Sequence, residues 1–244
     1  MNMETNEEKE FEIGRIENIS IIIPVHNEKG SLVALAASLE VVLKTLKNDY
    51  EIIFVNDASQ DGSDKIISEL ANANEKIRLI SFDKRRGKTA ALSEGFGQAS
   101  GQIVITLDAD LQNDPKDIPK LLEKLNQGYD AVGGWRVKRE GSLFFTKLPS
   151  FLANLLISKA VKFRFYDNGC GLKAYKKEVV NKFNLVEGQH RFLLMIAYLE
   201  GFKVTEIPVA DNKRVSGKSK YNVLKTFNVI GDLIKILLKK RHKK

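Results

Sequence analysis

Cysteine, long apolar runs and repeated segments are all scarce in this 244-residue chain. Its one cysteine, Cys170, excludes an internal disulfide and agrees with a reducing compartment, and we expect it to pack as a small side chain after a glycine. No apolar run reaches the roughly 20 residues that cross a bilayer. Residues 1–17 are acidic where a secretory signal would be basic and then apolar, so we expect a mobile tail there.

The chain also has no internal repeat and no low-complexity linker. Its hydrophobic residues, 43% of the total, are enough for a substantial core. We therefore predict one main domain over residues 18–222 and an appendage over residues 223–244.

Acidic residues are scarce at the C-terminal end. Between Lys213 and Lys244 there are eleven Lys or Arg and one acidic residue, Asp232, a net charge of +10, so the rest of the chain carries −2 of the formal +8. Outside this end there is no basic stripe with interleaved aromatic residues, so we do not expect a nucleic-acid partner.

The same end has the pattern of an amphipathic helix. Val223, Phe227, Ile230, Ile234 and Leu237 are spaced alternately by four and three residues, which predicts one apolar stripe. Its apolar part of about 16 residues is too short to span a bilayer. We predict that it lies on an anionic membrane surface, each basic residue adding ~1 kcal/mol. A helix packed on the core with a solvated basic tail explains the pattern equally well, and both interpretations stay open.

Apolar strands and amphipathic helices alternate over the first 135 residues. Strands are predicted at residues 19–25, 51–56, 77–82, 103–107 and 130–134, and helices at residues 31–47, 63–72, 88–99 and 115–126. This order predicts an α/β fold with a mostly parallel sheet and helices on both faces. Later residues are less regular, with an apolar helix at 151–163 that is either core or membrane-facing, a helix near 190–199 and a strand over 202–208.

Ligands of such folds bind at the carboxyl ends of the strands, where this sequence places polar segments. After the fourth strand comes LDADLQ, in which Asp108 and Asp110 would project to one side of an extended segment. Two converging carboxylates suit Mg²⁺ or Mn²⁺ bridging substrate phosphates, and Gln112 would add a third oxygen. The alternative is that the acidic residues only serve the turn, which is the function we assign to Asp114, a predicted N-cap before Pro115.

The polar residues after the second and third strands can likewise be either ligands or purely structural residues. Asp61 and Ser63 are predicted caps of a helix, whereas Asp57 is the better ligand candidate. The basic residues around Gly87 suit either a bound phosphate or solvent, and they are Arg85, Arg86 and Lys88.

The ordered combination of motifs resembles a known family. The segments SIIIPVHNE, VNDASQDGS, RRGKTAALSEGFGQASG and LDADLQNDP are similar to those of family 2 glycosyltransferases, which have the GT-A nucleotide-diphospho-sugar fold. GWRVKRE, DNGCGLKAYKKEV, EGQHRFLLMIAYLEGFKVTEIPV and NKRVSGKSKY resemble the branch of dolichol-phosphate mannose synthase and bacterial polyprenyl-phosphate glycosyltransferases. The resemblance covers about residues 19–225.

The resemblance implies a set of site residues that contact donor, metal or acceptor. They are Pro24, His26 and Glu28 in the first nucleotide loop, Val55 and Asp57 at the base-binding strand end, Asp108, Ala109 and Asp110 with Gln112 as the diphosphate and metal motif, Arg136 or Arg139 near the sugar and acceptor phosphate, His190 and Arg191 facing the reaction centre, and Arg214 and Lys220 as a late basic pair. Two positions depart from the pattern. Arg85 stands where many relatives have asparagine, and His26 replaces the commoner tyrosine.

The implied reaction is an inverting transfer in which a nucleoside diphosphate leaves as an acceptor oxygen attacks the anomeric carbon. Cations, including Mg²⁺ or Mn²⁺ at Asp110 together with Arg214 and Lys220, would offset the charge that develops on the leaving group. A polyprenyl phosphate acceptor, undecaprenyl or dolichyl, is already an oxyanion and needs no base. A saccharide or protein hydroxyl needs one, and Glu187 lies where hydroxyl-directed relatives often keep it.

We therefore expect transfer from a UDP- or GDP-sugar to a polyprenyl phosphate, by an enzyme peripheral on the cytoplasmic face of a membrane. Many bacterial relatives carry two transmembrane helices beyond this point, so the chain is either a naturally peripheral enzyme or a shortened one, and in both cases we expect the 223–244 helix to bring the site to the lipid. Transfer to a hydroxyl is the alternative function, and a non-catalytic nucleotide-sugar-binding module is a third. Contact with a membrane protein or a second copy of the chain stays open.

Overall fold

The computed structural model describes residues 18–137 and 163–213. Its strands are β1 (Asn18–Val25), β2 (Asp49–Asn56), β3 (Ile77–Ser81), β4 (Ile103–Thr106), β5 (Ala131–Arg136), β6 (Lys173–Lys176) and β7 (Val204–Val209). Its α-helices are α1 (Leu32–Thr45), α2 (Ser63–Ala73), α3 (Lys88–Gln98), α4 (Ile118–Asn126), α5 (Lys177–Asn181) and α6 (Leu193–Leu199). Short 3₁₀ helices at Pro115–Asp117 and Gln189–Arg191 precede α4 and α6.

The described strands form one sheet in the order β3-β2-β1-β4-β6-β5-β7. β1 pairs in parallel with β2 and β4, β2 with β3, and β5 with β7. Only β6 is reversed, being antiparallel to both β4 and β5. Six of the seven strands thus point the same way, which confirms the predicted α/β fold with a mostly parallel sheet.

Two apolar cores cover the two faces of the sheet. Because side chains alternate along a strand, Ile21 and Ile23 of β1 enter one core while Ile22 enters the other. Buried residues of α1, α2 and α4 complete the first core, and those of α3, α5 and α6 complete the second. The helices therefore lie on both faces, and the polar strand ends are left at the edges of the layers.

A hydrogen-bond network closes the edge of the sheet where β1 and β2 begin. Glu51 Oε1 accepts hydrogen bonds from the Ser20 hydroxyl and from the N–H and hydroxyl of Ser100, each at 2.7 Å. Its Oε2 accepts one from Arg78 at 2.7 Å. Burial alone would raise the pKa of the Glu51 carboxyl, but these hydrogen bonds outweigh it and hold the pKa below 4.5.

The observed elements differ from the predicted ones mainly near the reversed strand. No strand was predicted for KAYK, because Lys173 and Lys176 interrupt both an apolar run and an alternation. The helix predicted near 190–199 divides into a 3₁₀ turn and α6, and β5 extends past the predicted Gly134 to include Arg136. The predicted strand over 202–208 is β7.

Several predictions fall outside the described residues. These are the tail at 1–17, residues 151–162 of the apolar helix predicted at 151–163, the appended helix at 223–244, and the site residues Arg139, Arg214 and Lys220. Within the described ranges, no helix has both the length and the apolar character that crossing a bilayer requires.

Candidate active site

The first two strands end side by side at the carboxyl edge of the sheet. Pro24 of β1 pairs in register with Val55 of β2, so both predicted nucleotide contacts lie at this edge. His26 follows β1, and its Nδ1 lies 2.8 Å from the backbone oxygen of Asp57. The His26 ring is therefore held against the end of β2.

The loop after β1 is tied to the start of α2. The N–H of Glu28 donates to Ser63 Oγ at 3.1 Å, and the N–H of Lys29 donates to Asp61 Oδ2 at 3.0 Å. Asp61 Oδ1 also accepts from the N–H and hydroxyl of Ser63. Asp61 and Ser63 thus organise the helix start, but the N-cap of α2 is Gly62, without a side-chain cap hydrogen bond, so their predicted capping role is wrong. Asp114 caps the 3₁₀ helix that follows it, as predicted.

Asp57 binds the loop between β3 and α3. Its carboxylate accepts the backbone N–H of Arg86 at 2.6 Å and that of Gly87 at 3.0 and 3.1 Å. Arg85 Nε lies 3.9 Å from Asp57 Oδ2. The carboxylate predicted to contact the nucleobase therefore also fixes the loop that leads into α3, and its nucleotide contact stays a prediction.

Helix α3 directs a lysine at the first aspartate of the LDADLQ motif. Gly87 has φ of +89° just before the helix, a conformation that side chains with a Cβ rarely adopt. Lys88 follows, and its Nζ donates to Asp108 Oδ1 at 2.5 Å. Burial would raise the pKa of Asp108, but the charge and hydrogen bond of Lys88 outweigh it and hold the pKa below its usual range. Asp108 is therefore ionised and able to bind a cation.

Asp108 lies against a glycine from the other half of the chain. A Cβ on Gly171 would come within 2.6 and 2.7 Å of the two Asp108 carboxylate oxygens. The Gly171 backbone oxygen accepts a hydrogen bond from the Thr106 hydroxyl at 2.8 Å, which fixes the loop to the end of β4. The loop before the reversed strand β6 therefore forms a wall of the pocket around Asp108.

The second aspartate has a different environment, which corrects the predicted geometry. β4 ends at Thr106, so Asp108 lies in irregular backbone and Asp110 in a turn, and neither belongs to a strand. Asp110 is 7% exposed, and its Oδ1 accepts the backbone N–H of Gln112 at 3.1 Å. Leu111, between Asp110 and Gln112, has φ of +63°, which marks the tight turn. The two carboxylates therefore lie beyond the strand on which the alternation argument depended, and their convergence on one metal ion stays a prediction.

Arg136 is held by an ion pair that the sequence did not predict. Its Nε and Nη2 donate to the two Asp167 carboxylate oxygens at 2.6 and 3.0 Å. Burial would lower the pKa of Arg136, but Asp167 outweighs it and raises the pKa above its usual value. Glu206 in turn accepts the N–H groups of Tyr166 and Asp167. The guanidinium is thus fixed in one orientation and stays charged.

A buried lysine, Lys173, also lines the pocket around Asp108. Lys173, 3% exposed, donates to the backbone oxygen of Cys170. Burial lowers the pKa of Lys173, and burial together with the charge of Asp167 raises the pKa of Cys170 to about 11. Cys170 is 1% exposed, which agrees with its predicted packing, and at neutral pH it is an inert thiol.

His190 lies opposite the start of α3. Its Nδ1 is 2.8 Å from Thr89 Oγ1, and the same oxygen accepts the backbone N–H of Gly188 at 3.2 Å. Burial and the charges of Lys88 and Arg191 lower the pKa of His190 to about 3. His190 is therefore a neutral imidazole at physiological pH.

These side chains line one open cleft at the carboxyl edge of the sheet. Its walls come from both halves of the described chain, and they consist of Lys88, Leu92, Thr106, Asp108, Arg136, Gly169, Cys170, Gly171, Lys173, His190, Arg191 and Leu193. Four of these residues carry a cationic group and one carries a carboxylate. The cleft is therefore suited to an anionic ligand.

The structure brings together only part of the predicted set. Asp108, Arg136, His190 and Arg191 line the cleft, whereas Pro24, His26, Glu28, Val55, Asp57, Ala109, Asp110 and Gln112 lie at the same edge but outside its lining. Sequence reasoning missed Thr89, Asp167, Gly171 and Lys173. Asp167 and Lys173 lie in the glycine-rich run DNGCGLK, where charged residues are more often exposed, so no local pattern marked them as parts of the site.

Comparisons with known proteins agree with this geometry. The profile of "Glycosyl transferase family 2" matches residues 20–183. A curated relative, the undecaprenyl-phosphate 4-deoxy-4-formamido-L-arabinose transferase of Yersinia enterocolitica, is 38% identical over 224 residues, covering 91% of this chain and 68% of its own length. The corresponding protein of Pectobacterium atrosepticum is 38% identical over 226 residues, covering 92% and 69%.

Solved structures show the same fold at lower identity. Glucosyl-3-phosphoglycerate synthase from Mycobacterium tuberculosis with UDP superimposes with a TM-score of 0.71 at 20% identity, covering 91% of this chain and 80% of that one. The same enzyme with Mn²⁺, UDP and phosphoglyceric acid gives 0.69 at 19% identity, covering 92% and 78%. The predicted GT-A architecture and the predicted resemblance to polyprenyl-phosphate sugar transferases are both confirmed.

Proposed function

The chain belongs to glycosyl transferase family 2, and on that premise we propose that it transfers a sugar, with inversion, from a nucleoside diphosphate to a polyprenyl phosphate. The name of its 38% identical relatives supports undecaprenyl phosphate as the class of acceptor. The observation that carries the proposal is the charge of the cleft. Its described lining has four cationic side chains, and its one carboxylate is already paired with one of them.

This lining favours an acceptor that is an anion before it reacts. A hydroxyl acceptor must give its proton to a base, and Asp108 is a weak base because Lys88 lowers its pKa. A phosphate monoester is an oxyanion near neutral pH, since its second pKa is about 6. Cations such as Arg136 and Lys173 attract it and need accept no proton.

The position of Glu187 supports the same choice. This candidate base is exposed, and its carboxylate oxygens lie over Gly87, 3.1 and 3.2 Å from where a Cβ would stand. It is not among the residues that line the cleft. A base for a hydroxyl acceptor would have to reach the reacting oxygen, so Glu187 is better suited to shaping the loop before α3.

The donor diphosphate is expected to bind with Mg²⁺ or Mn²⁺ beside Asp108. Asp108 is ionised and lies in the wall of an open cleft, and a carboxylate is the kind of oxygen ligand that a hard cation prefers. Within residues 18–137 and 163–213 no three His, Cys, Asp or Glu residues gather into a metal site. We therefore assign Asp108 and Asp110, with Gln112, as a partial ligand set that diphosphate oxygens and water complete.

A bound divalent cation would neutralise charge on the departing diphosphate. Cationic side chains of the chain would stabilise the rest of that negative charge. Lys88, held at Asp108, lies close enough to this site to contact phosphate oxygens, and Arg136 is oriented by Asp167. Fixed cations of this kind stabilise a developing anion, and losing one typically costs on the order of 10²–10³-fold in kcat.

A polyprenyl phosphate is embedded in a bilayer, so the enzyme must reach a membrane. We assign this contact to residues 223–244 and place the enzyme on the cytoplasmic face, where nucleotide sugars are expected. Sedimentation with anionic liposomes tests the contact. The full chain should pellet and a chain ending at residue 222 should not, and equal binding of both would refute the assignment.

Product formation tests the proposed reaction. The full chain, a panel of UDP- and GDP-sugars, Mg²⁺ or Mn²⁺ and undecaprenyl phosphate should give a sugar-phosphate lipid detectable by mass spectrometry. Asp110→Asn should lower the rate about 10²-fold or more and weaken Mn²⁺ binding measured by electron paramagnetic resonance. Asp49→Asn, at the opposite edge of the sheet, is the matched control.

Glu187→Gln distinguishes the two acceptor classes. With a phosphate acceptor, kcat should change little, as in Glu200→Gln, the control at another exposed glutamate. If Glu187→Gln abolishes turnover, or if a free saccharide accepts the sugar faster than the lipid phosphate does, the enzyme is directed at hydroxyl groups and the proposal is wrong.

A further inference from the structure

Thr89 and His190 form a contact that neither the proposed reaction nor any resemblance assigns. They are 101 residues apart, and Thr89 lies in the first turn of α3 while His190 lies in the 3₁₀ helix before α6. Thr89 is 2% exposed, whereas the His190 ring lines the cleft. A buried hydroxyl thus stands behind a functional imidazole.

The hydrogen-bond inventory of the Thr89 hydroxyl limits how the two side chains can pair. Its oxygen accepts the backbone N–H of Gly188 at 3.2 Å and lies 2.8 Å from His190 Nδ1. If Nδ1 carried a proton and donated it, the Thr89 hydroxyl hydrogen would be buried with no acceptor among the described contacts. If the hydroxyl donates to Nδ1, all three groups are satisfied.

We infer that Thr89 holds His190 as the tautomer with its proton on Nε2, so that His190 donates a hydrogen bond to a phosphate oxygen in the cleft. The charges that face the ring agree with a neutral imidazole, because Lys88, Arg191 and Lys173 outnumber Asp108. The ring nitrogen bound to Thr89 is occupied, so Nε2 is the one available to a ligand.

This tautomer decides what His190 does in the reaction. An Nε2–H group donates a hydrogen bond and cannot take a proton at the same atom, so His190 is not a base. It would stabilise negative charge on phosphate, as backbone donors do in oxyanion sites. The identity of the ligand rests on the proposed function, whereas the tautomer is a property of the ligand-free protein.

The tautomer can be measured without any substrate. The chain has three histidines, so a long-range ¹H–¹⁵N spectrum of the ¹⁵N-labelled full chain contains three imidazoles. The His190 signals are assigned as those lost in His190→Gln. At pH 7 we expect an unprotonated Nδ1 and a protonated Nε2. A proton on Nδ1, or a doubly protonated ring, overturns the inference.

Two variants test whether Thr89 is responsible. T89V keeps the shape and removes the hydroxyl, so we expect His190 to shift toward the other tautomer or a mixture and kcat to fall by about 10- to 100-fold, with a smaller change in KM. T89S keeps the hydroxyl and should restore the tautomer and most of the kcat that T89V loses. Unchanged tautomer and kcat in T89V refute the assignment. If T89V does not fold, the wild-type and T89S spectra decide, because Nδ1 protonation in either contradicts the inference.

Ligand titrations then identify the phosphate. UDP or GDP with Mg²⁺ represents the leaving diphosphate, and farnesyl phosphate in detergent micelles represents the acceptor. A change of the Nε2 shift with a nucleotide assigns the hydrogen bond to the donor, and a change only with farnesyl phosphate assigns it to the acceptor. Saturating binding of both without any change of that shift refutes the donation. The proposed reaction would survive that result, since it is tested by product formation.

Discussion

Substitution of Gly171 by alanine tests whether the placement of Asp108 controls activity. The added Cβ would lie 2.6 Å from Asp108 Oδ1, about 0.8 Å inside the 3.4 Å at which ordinary contacts begin. The loop cannot retreat easily, because the Gly171 oxygen is bound by the Thr106 hydroxyl. Asp108 must therefore rotate out of its position beside Lys88.

The magnitude follows from that displacement. A shift of about 1 Å in a catalytic group can cost 10²-fold in rate, which corresponds to about 2.7 kcal/mol of barrier. Overpacking of a tight site costs about 1–3 kcal/mol of stability, and we expect the lower end because the Asp108 side chain is 31% exposed and can swing toward the cleft. Activity should thus fall much more than stability.

The assay compares G171A with G169A, two residues away in the same loop. A Cβ at Gly169 would meet Asp167 Oδ1 at 3.5 Å and Arg136 Nη2 at 3.6 Å, which are ordinary contacts. Initial rates of lipid-linked sugar formation, Mn²⁺ affinity and Tm are measured for both. We expect G171A to lose activity and Mn²⁺ affinity and G169A to keep both. A folded G171A with wild-type rate and affinity, or an equal loss in both variants, would refute the reasoning.

Two further predictions concern stability. Gly95→Ala should destabilise the fold by about 1–3 kcal/mol, because the added Cβ would overlap Ile22 in the core. Gly97→Ala, in the same helix but with open space around it, should stabilise the fold by about 0.5–1 kcal/mol. Both free energies are measured by urea unfolding, and the reverse order of stability would contradict the packing. Glu51→Gln should lower the free energy of unfolding by about 2 kcal/mol at pH 7. Because the pKa of Glu51 in the folded protein lies below 4.5, the difference in unfolding free energy between the variant and wild type should shrink as pH falls below that value. Exposed Glu69→Gln is the control, and a pH-independent difference would show that the Glu51 charge does not matter.

Local sequence patterns determined the first half of the fold. The alternation of apolar strands and amphipathic helices up to residue 136 depends on periodicities of two and 3.6 residues. Each periodicity can be recognised within a short segment of the sequence. The same holds for the cap at Asp114, whose hydrogen bond joins residues two apart. LDADLQ was recognisable because its chemistry lies within a few consecutive residues.

Tertiary structure alone decided how the site is assembled. The reversed strand β6 brings Gly171 against Asp108, and no local pattern marks a buried strand that contains Lys173. The pairs formed by Arg136 with Asp167 and by Thr89 with His190 join distant parts of the chain. Such contacts depend on which buried polar group finds which partner once the two cores have formed, and that is a property of the packed chain and not of its periodicity.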